Sequence, residues 1–273
     1  MNFTIIGGQG FVGSEVVNQL TMDSQTVWVP EKNDAVLYEK HLGTVIYCAG
    51  HGDCTNNPMK VLQSNTTDLA LLLQKAKFDK LVYISSTRVY MNQHQSDESC
   101  DLSIINEDDR KLFNLTKLVS EELCFKSKRN CIVVRPSNVY GVALDSPLFL
   151  PSITRNAILN GKVDMYVPES YSKDYVAVSD VAKVIIHLSK LKTNNEKVIN
   201  IASGYNVTAK DIADILAKQT NCEIIWHESS STERFPETQI NTMKSILNIS
   251  PRSVKEDLIN MVNAYKEHLS HAN

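Results

Sequence analysis

The sequence predicts an α/β fold, a doubly wound and mostly parallel sheet with a small C-terminal lobe. Short apolar runs of strand length alternate with stretches of helical periodicity, the pattern of a parallel sheet covered on both faces. The first strand leads straight into a glycine-rich turn that opens a helix. After Pro136 the pattern loosens, as expected where loops build a pocket, and no linker divides the chain.

Taken in order, Asn2–Ile6 is a short apolar strand, followed by a helical stretch with Val12, Val16, Val17 and Leu20 on one face. Gln25–Val29 and Thr44–Cys48 read as strands. Only about fourteen residues separate them, close to the minimum for a crossover, so this part of the fold is expected to be trimmed. Asn65–Ala76 is helical, with Leu69, Leu72, Leu73 and Ala76 at helical spacing. Lys80–Ser85 is a strand, Asp108–Lys126 a helix and Cys131–Arg135 a strand. Helices recur at Ser179–Lys190, Thr208–Gln219 and Ser253–His268, with Ser179 and Thr208 as N-caps of the first two. Residues 1–165, joined by later elements from 175–201, are expected to form the sheet domain, and 166–273 mainly the lobe.

Bulk properties exclude several classes. Hydrophobic content of 42% and charged content of 22% over 273 residues are those of an ordinary globular chain. A net charge of −3 argues against a general nucleic-acid surface. No apolar run approaches the ~20 residues needed to span a bilayer, so no membrane partner is expected. The N-terminus enters a strand without a basic segment and apolar stretch, and a cytoplasmic protein is expected. The six cysteines are scattered without paired spacing, which favours reduced core thiols. His51-Gly52-Asp53-Cys54 has no second cluster to complete a metal site, so no metal is expected.

Gly7-x-x-Gly10-x-x-Gly13 lies between a strand and a helix, the context that gives such a motif meaning. Glycines permit the tight turn, the approach of a pyrophosphate to the backbone and close helix–strand packing. The helix start offers free amides and partial positive charge to that pyrophosphate. A dinucleotide, NAD or NADP, is therefore expected. The second strand ends Val29-Pro30-Glu31-Lys32. An acid there suits a free ribose and a base suits a 2′-phosphate, and Glu31 tilts the expectation towards NAD.

Together with this loop, further segments resemble the extended short-chain dehydrogenase/reductase family of nucleotide-sugar epimerases, dehydratases and reductases, a Rossmann-like fold. Leu81-Val82-Tyr83-Ile84-Ser85-Ser86-Thr87-Arg88-Val89-Tyr90 is similar to the family strand that carries the active-site serine or threonine, here Ser86. Arg135-Pro136-Ser137-Asn138-Val139-Tyr140-Gly141 resembles the segment bordering the nicotinamide and the sugar diphosphate. Lys173-Asp174-Tyr175-Val176, Asn200-Ile201-Ala202-Ser203-Gly204 and Arg234-Phe235-Pro236 resemble later family segments. The match runs from about position 3 to 268, nearly the whole chain.

The resemblance implies a nucleoside-diphosphate sugar as substrate, held by Ser86, Asn138, Lys173 and Arg234. It places Phe11, Val12, Ala49, Gly50, Asn65, Ser85, Lys117, Pro136 and Val139 along the cofactor, with the glycine loop, Glu31 and Lys32. It also implies a homodimer, in which the helix carrying Leu112, Leu115, Val119 and Leu123 packs against a second copy. Relatives with a dehydratase activity carry Asp-Glu where this chain has Thr87-Arg88, so epimerase or ketosugar reductase is favoured.

One departure dominates. The family's Tyr-x-x-x-Lys reads Phe113-Asn114-Leu115-Thr116-Lys117. Residues i and i+4 share a helix face, so the geometry is kept and the proton-transferring hydroxyl is lost. Three readings stand side by side: another group, Tyr90, His51 or Tyr140, has been recruited; the chain is a silent dinucleotide- or sugar-nucleotide-binding relative with a regulatory or scaffolding role; or Phe113 is an engineered replacement of tyrosine.

Overall fold

The computed structural model of the protein describes residues 1–271 except 33, 145, 147, 193–195 and 230–232. The first half comprises β1 (Asn2–Ile6), α1 (Phe11–Met22), β2 (Thr26–Trp28), β3 (Thr44–Tyr47), α2 (Pro58–Leu62), α3 (Asp68–Lys75), β4 (Lys80–Ile84) and α4 (Lys111–Lys126). The second half comprises β5 (Cys131–Pro136), β6 (Asn138–Tyr140), α5 (Phe149–Leu159), β7 (Lys162–Met165), β8 (Ser172–Ala177), α6 (Val178–Lys190), β9 (Val198–Ile201), β10 (Asn206–Thr208), α7 (Ala209–Thr220), β11 (Glu223–Trp226), α8 (Asn241–Ile246) and α9 (Val254–His271).

Among the described residues the central sheet has the order β2-β1-β3-β4-β5-β9, and every pairing in it is parallel. Strand β4 shows why such a sheet needs cover on both sides. Val82 and Ile84 join a cluster with Val16 and Leu20 of α1 and Val181 and Ile185 of α6. Leu81 and Tyr83 point the other way, into a cluster with Leu69, Leu72 and Leu73 of α3 and Cys124 of α4. The doubly wound architecture follows from that alternation.

The trimmed segment is real. A 3₁₀ turn, Ala35–Tyr38, stands between β2 and β3 in place of a crossover helix. The usual doubly wound sheet carries a further strand outside the second one, whereas β2 is the edge among the described residues. The connection leaving β1 runs to β2 on one side and that leaving β3 runs to β4 on the other, which opens a crevice between their carboxyl ends.

A second apolar cluster joins α5, β7, α7 and α9 around Leu150, Val163, Met165, Ile212, Leu216, Leu258 and Tyr265. Residues 149–165 thus pack with the lobe, ahead of the expected boundary at 165, while α6, β9 and Met243 of α8 return to the main core. Thr208 caps α7 as expected, with a reciprocal capping box to Asp211. Ser179 does not cap α6: β8 runs directly into that helix, whose N-cap is Ala177. The helix expected from Asp108 starts at Lys111, because Asp108 folds back to accept from the Arg110 amide at 2.9 Å. The helix expected from Asn65 starts earlier, at Pro58: α2 runs through a wider π turn over Gln63–Thr67 into α3. No helix among the described residues is long and apolar enough to cross a membrane.

A buried polar chain ties the layers together. Glu121 of α4 accepts from Arg135 of β5, Nε to Oε1 at 3.0 Å and an Nη to Oε2 at 2.5 Å, and from the Ser85 hydroxyl. The other Nη of Arg135 donates to the Tyr90 hydroxyl at 2.6 Å, which donates to Asn200 Oδ1 at 3.0 Å. Asn200 in turn donates to the Ser96 and Gln239 carbonyls. Removing one partner of a buried pair leaves an uncompensated charge. Glu121→Leu should therefore destabilise the protein by about 3–5 kcal/mol, and adding Arg135→Met should recover much of that loss. Urea unfolding of the three proteins reads the difference, and a Glu121→Leu midpoint equal to that of the parent would contradict it.

Candidate functional site

The glycine loop sorts its residues by what each one meets. Gly7 has φ +76°, and a Cβ there would lie 2.7 Å from the Ala49 nitrogen. A Cβ on Gly13 would lie 2.2 Å from the Gly7 carbonyl oxygen. Both glycines are needed by the fold itself. Gly10 differs, since a Cβ there would meet only the Gly7 carbonyl at 3.3 Å. Its absence of a side chain serves the space in front of it. Gly10 is also the N-cap of α1 and provides no side-chain cap, so the first amides of the helix remain open to an anion.

That space is a cavity of about 600 Å³ at the carboxyl ends of β1 and β3, lined among others by Gly8, Gly10, Glu31, Lys32, Ala49 and Gly50. Its place at the reversal of strand order, its uncapped helix and its acid–base pair fit a dinucleotide. The expected contacts Phe11 and Val12 can offer only backbone to it. The Phe11 ring lies against Gly141, whose Cβ would stand 3.1 Å from Cζ, and Val12 packs on the main core. Asn65 acts through the loop: it accepts from the His51 amide at 2.9 Å and donates to the His51 carbonyl and to Thr116 Oγ1. Ser85 turns its hydroxyl to Glu121. Pro136 is buried at the end of β5, and Val139 packs on the main core.

Lys117 is 4% exposed and donates to the Ile84 carbonyl at 2.8 Å, which fastens α4 to the end of β4 two residues before Ser86. A Cβ on Gly50 would lie 3.4 Å from its Nζ, so the ammonium reaches the cavity wall. Burial pushes this lysine down to about 8, against the pull of Glu121 and Cys48. The Phe113 ring stands 5.7 Å from Nζ, and the Arg110 guanidinium lies over the ring at 4.7 Å. Ser86 is half-buried at the end of β4 and accepts from the Arg88 amide at 3.1 Å.

Of the groups considered as replacements for the lost hydroxyl, two are spoken for. The Tyr90 hydroxyl is locked between Arg135 and Asn200, and burial pushes its pKa up to about 12. This corrects the expectation that it could serve the reaction. The Tyr140 hydroxyl donates to Asp257 of α9 at 2.7 Å, on the lobe side. His51 is different. Its backbone is clamped by Asn65, and its Nε2 is buried without a hydrogen-bond partner.

The expected substrate residues Lys173 and Arg234 flank one cleft. Arg234 lines a cavity of about 950 Å³ with Asn92, Tyr171, Glu233 and Phe235. Lys173 Nζ lies 3.8 Å from Glu233 Oε2 and over the rings of Tyr171 and Phe235. Burial pushes Lys173 down to about 8, with Arg88 and Arg110 adding to the shift against Glu233. Asn138 is exposed and donates to the Asp174 carbonyl at 2.8 Å. The carboxylate of Asp174 accepts from Ser137 and from the backbone of Ser203, Gly204 and Tyr205. Two separated sequence segments are held together there.

Sequence reading missed the charged cluster beside this cleft. Arg88 pairs with Asp108 at 2.7 Å and with Glu233 at 2.6 Å, and Tyr171 donates to Glu233 at 2.7 Å. The available signal was Arg88 itself, a cation two residues after Ser86 and directly ahead of Val89-Tyr90.

The model of the NAD dependent epimerase/dehydratase family matches residues 3–202. A UDP-glucose 4-epimerase from Lactobacillus helveticus is 22% identical over 99% of this chain and 98% of its own length. MoeE5, solved in complex with UDP-glucuronic acid and NAD, superposes with a TM-score of 0.86 at 19% identity, covering 98% of this chain and all of that one. A mutant UDP-glucuronic acid 4-epimerase from Bacillus cereus, in complex with UDP-4-deoxy-4-fluoro-glucuronic acid and NAD, gives 0.84 at 18%, with 98% and 100% covered. The family match, the parallel sheet and the glycine loop agree, and the chain belongs to the NAD dependent epimerase/dehydratase family.

Proposed function

We propose that the chain binds NAD in the cavity at Gly10 and acts on a nucleoside-diphosphate sugar as an epimerase or ketosugar reductase. The observation that carries this reading is the Lys117 ammonium, buried and brought to the cavity wall beside Gly50. The related proteins named above, which bind UDP-sugars and NAD, support it. NAD supplies hydride exchange at a sugar carbon. The chain's own part is to hold the pyrophosphate on the loop amides, a ribose on Glu31 and the nicotinamide ribose on Lys117. Ser86 holds the reacting sugar oxygen, Asn138 borders it, and Lys173 and Arg234 hold the substrate diphosphate.

Phe113 has no proton to move, and proton transfer at the sugar oxygen falls to His51, whose Nε2 has no other partner. A homodimer is part of the same reading. On α4, Leu115 and Val119 are 40% and 49% exposed, and Met59 of the adjacent α2 is 73% exposed. These form an apolar strip on a helix whose buried side is polar.

Calorimetry with NAD and NADP tests the cofactor first. NAD should bind the tighter, and Gly10→Val should abolish binding, because its side chain enters the pyrophosphate approach. Binding of neither dinucleotide at millimolar concentration by the folded protein would end the cofactor reading.

Turnover of a panel of sugar nucleotides tests the proton carrier. His51→Ala should lower activity by about 10²-fold or more, while Phe113→Tyr should do little or reduce it. A rise of about 10²-fold in Phe113→Tyr would instead mark a silenced tyrosine site, and inertness of every form would favour the binding-protein reading.

Val119→Glu should convert a dimer of about twice the 30.6 kDa chain mass into a monomer by light scattering. A parent protein that is monomeric at all concentrations would reject the interface.

A further inference from the structure

Four buried polar atoms without a hydrogen-bond partner belong to one neighbourhood: Arg88 Nε, Arg110 Nε, Asn114 Oδ1 and His51 Nε2. Asn114 Nδ2 donates to Asp108, and Asp108 accepts from Arg88. A Cβ on Gly52, next to His51, would lie 3.2 Å from an Nη of Arg110. Buried polar groups are nearly always paired, so a cluster of orphans marks a place for water or for a polar ligand.

The charges say which kind. Arg88, Arg110 and Lys173 face two carboxylates, Asp108 and Glu233. Arg88 takes both of them and Lys173 shares Glu233, while the Arg110 guanidinium has no ion-pair partner among the described residues. Burial, and then the nearby Arg88, push its pKa down against the pull of Cys54, Glu233 and Asp108. One cation is left over, half-buried on the face of the Phe113 ring.

We propose that Arg110, with Arg88 beside it, binds a carboxylate on the sugar, so that the preferred substrate is a nucleoside diphosphate linked to a sugar acid. A planar guanidinium fork matches a carboxylate in two parallel hydrogen bonds. The substrate diphosphate is assigned to Lys173 and Arg234 along the Tyr171–Phe235 cleft. Arg110 is near enough to Lys173 to shift it, but it stacks on the ring four residues before Lys117 and not on Tyr171 or Phe235, and Arg88 lies two residues after Ser86. That is where the reacting sugar itself would sit. The orphan Asn114 Oδ1 is an acceptor and suits a sugar hydroxyl. The inference rests on the nucleotide-sugar reading above and adds the charge of the sugar to it.

The test is calorimetric titration of the NAD-loaded protein with UDP-glucuronic acid and with UDP-glucose, which differ only at C6. The acid should bind tighter by about tenfold or more, the effect of one charged hydrogen-bonded pair. Arg110→Met should bring the ratio close to one, and Arg110→Lys, with its charge but without the fork, should keep part of it. Melting curves show whether each variant is folded, and the parent ratio decides even if neither is. Binding of UDP-glucose as tightly as the acid would overturn the inference and leave the nucleotide-sugar reading in place. Binding of neither sugar nucleotide, with NAD bound, would overturn both.

Discussion

The ion pair between Arg135 and Glu121 is the constraint on which the site depends. A guanidinium and a carboxylate, 4% and 2% exposed, are tolerated in the core because they pair with each other twice and take further bonds from Ser85 and to Tyr90. These bonds fix the neighbours. Glu121 holds α4 against β5 and takes the Ser85 hydroxyl, and Arg135 holds Tyr90, which holds Asn200. Because α4 is fixed in this way, Lys117, one turn before Glu121, is brought to the Ile84 carbonyl at the end of β4. The same network engages the Ser85 and Tyr90 hydroxyls. A hydroxyl that completes a buried charge pair cannot also exchange protons with a ligand without leaving that pair short.

Helix α4 shows how the site inverts the usual polarity of a surface helix. Its buried residues are Asn114, Thr116, Lys117, Ser120, Glu121 and Cys124, and its most exposed apolar residues are Leu115 and Val119. The polar face looks inward because it supplies three different things: the anchor of Arg135, the clamp on the π turn at Asn65, and the ammonium at the cavity. Ser120 donates to the Asn65 carbonyl at 2.7 Å, and Tyr83 donates to it at 3.2 Å. Both hydroxyls converge on a carbonyl within the wider π turn. A π turn that aims one asparagine at a loop is then stabilised from behind by the helix that carries the lysine.

Much of this was legible in the sequence, and the division has physical causes. Strand and helix periodicity and the glycine spacing describe local geometry, so the doubly wound sheet and the loop could be read directly. Gly10 could be assigned to a ligand from its spacing, and the structure adds that a Cβ there would meet only the Gly7 carbonyl, at 3.3 Å. Long-range polar pairings were not legible. Arg88 meets Glu233 across 145 residues of chain, and nothing local to either position announces the other. Ser179 shows a subtler failure: it has the residue type of a cap, yet a strand that passes into a helix without a break needs none. The helix expected from Asp108 was shortened by the same kind of local competition, the side chain of Asp108 bonding its own backbone turn.

The electrostatics around Phe113 explain how the fold tolerates the change. Cations lie near its ring on two sides, Arg110 at 4.7 Å and Lys117 at 5.7 Å. A tyrosine there would place a hydroxyl in a positive field, which favours its phenolate and suits it to proton transfer. A phenylalanine leaves no buried hydroxyl unsatisfied and still offers its π face to both cations, worth about 0.5–2 kcal/mol each. The substitution therefore costs the framework little. Glu233 and Asp108 neutralise Arg88, and neither is within ion-pair distance of Arg110. The Arg110 guanidinium held on that ring is the group on which the proposed recognition of a sugar carboxylate depends.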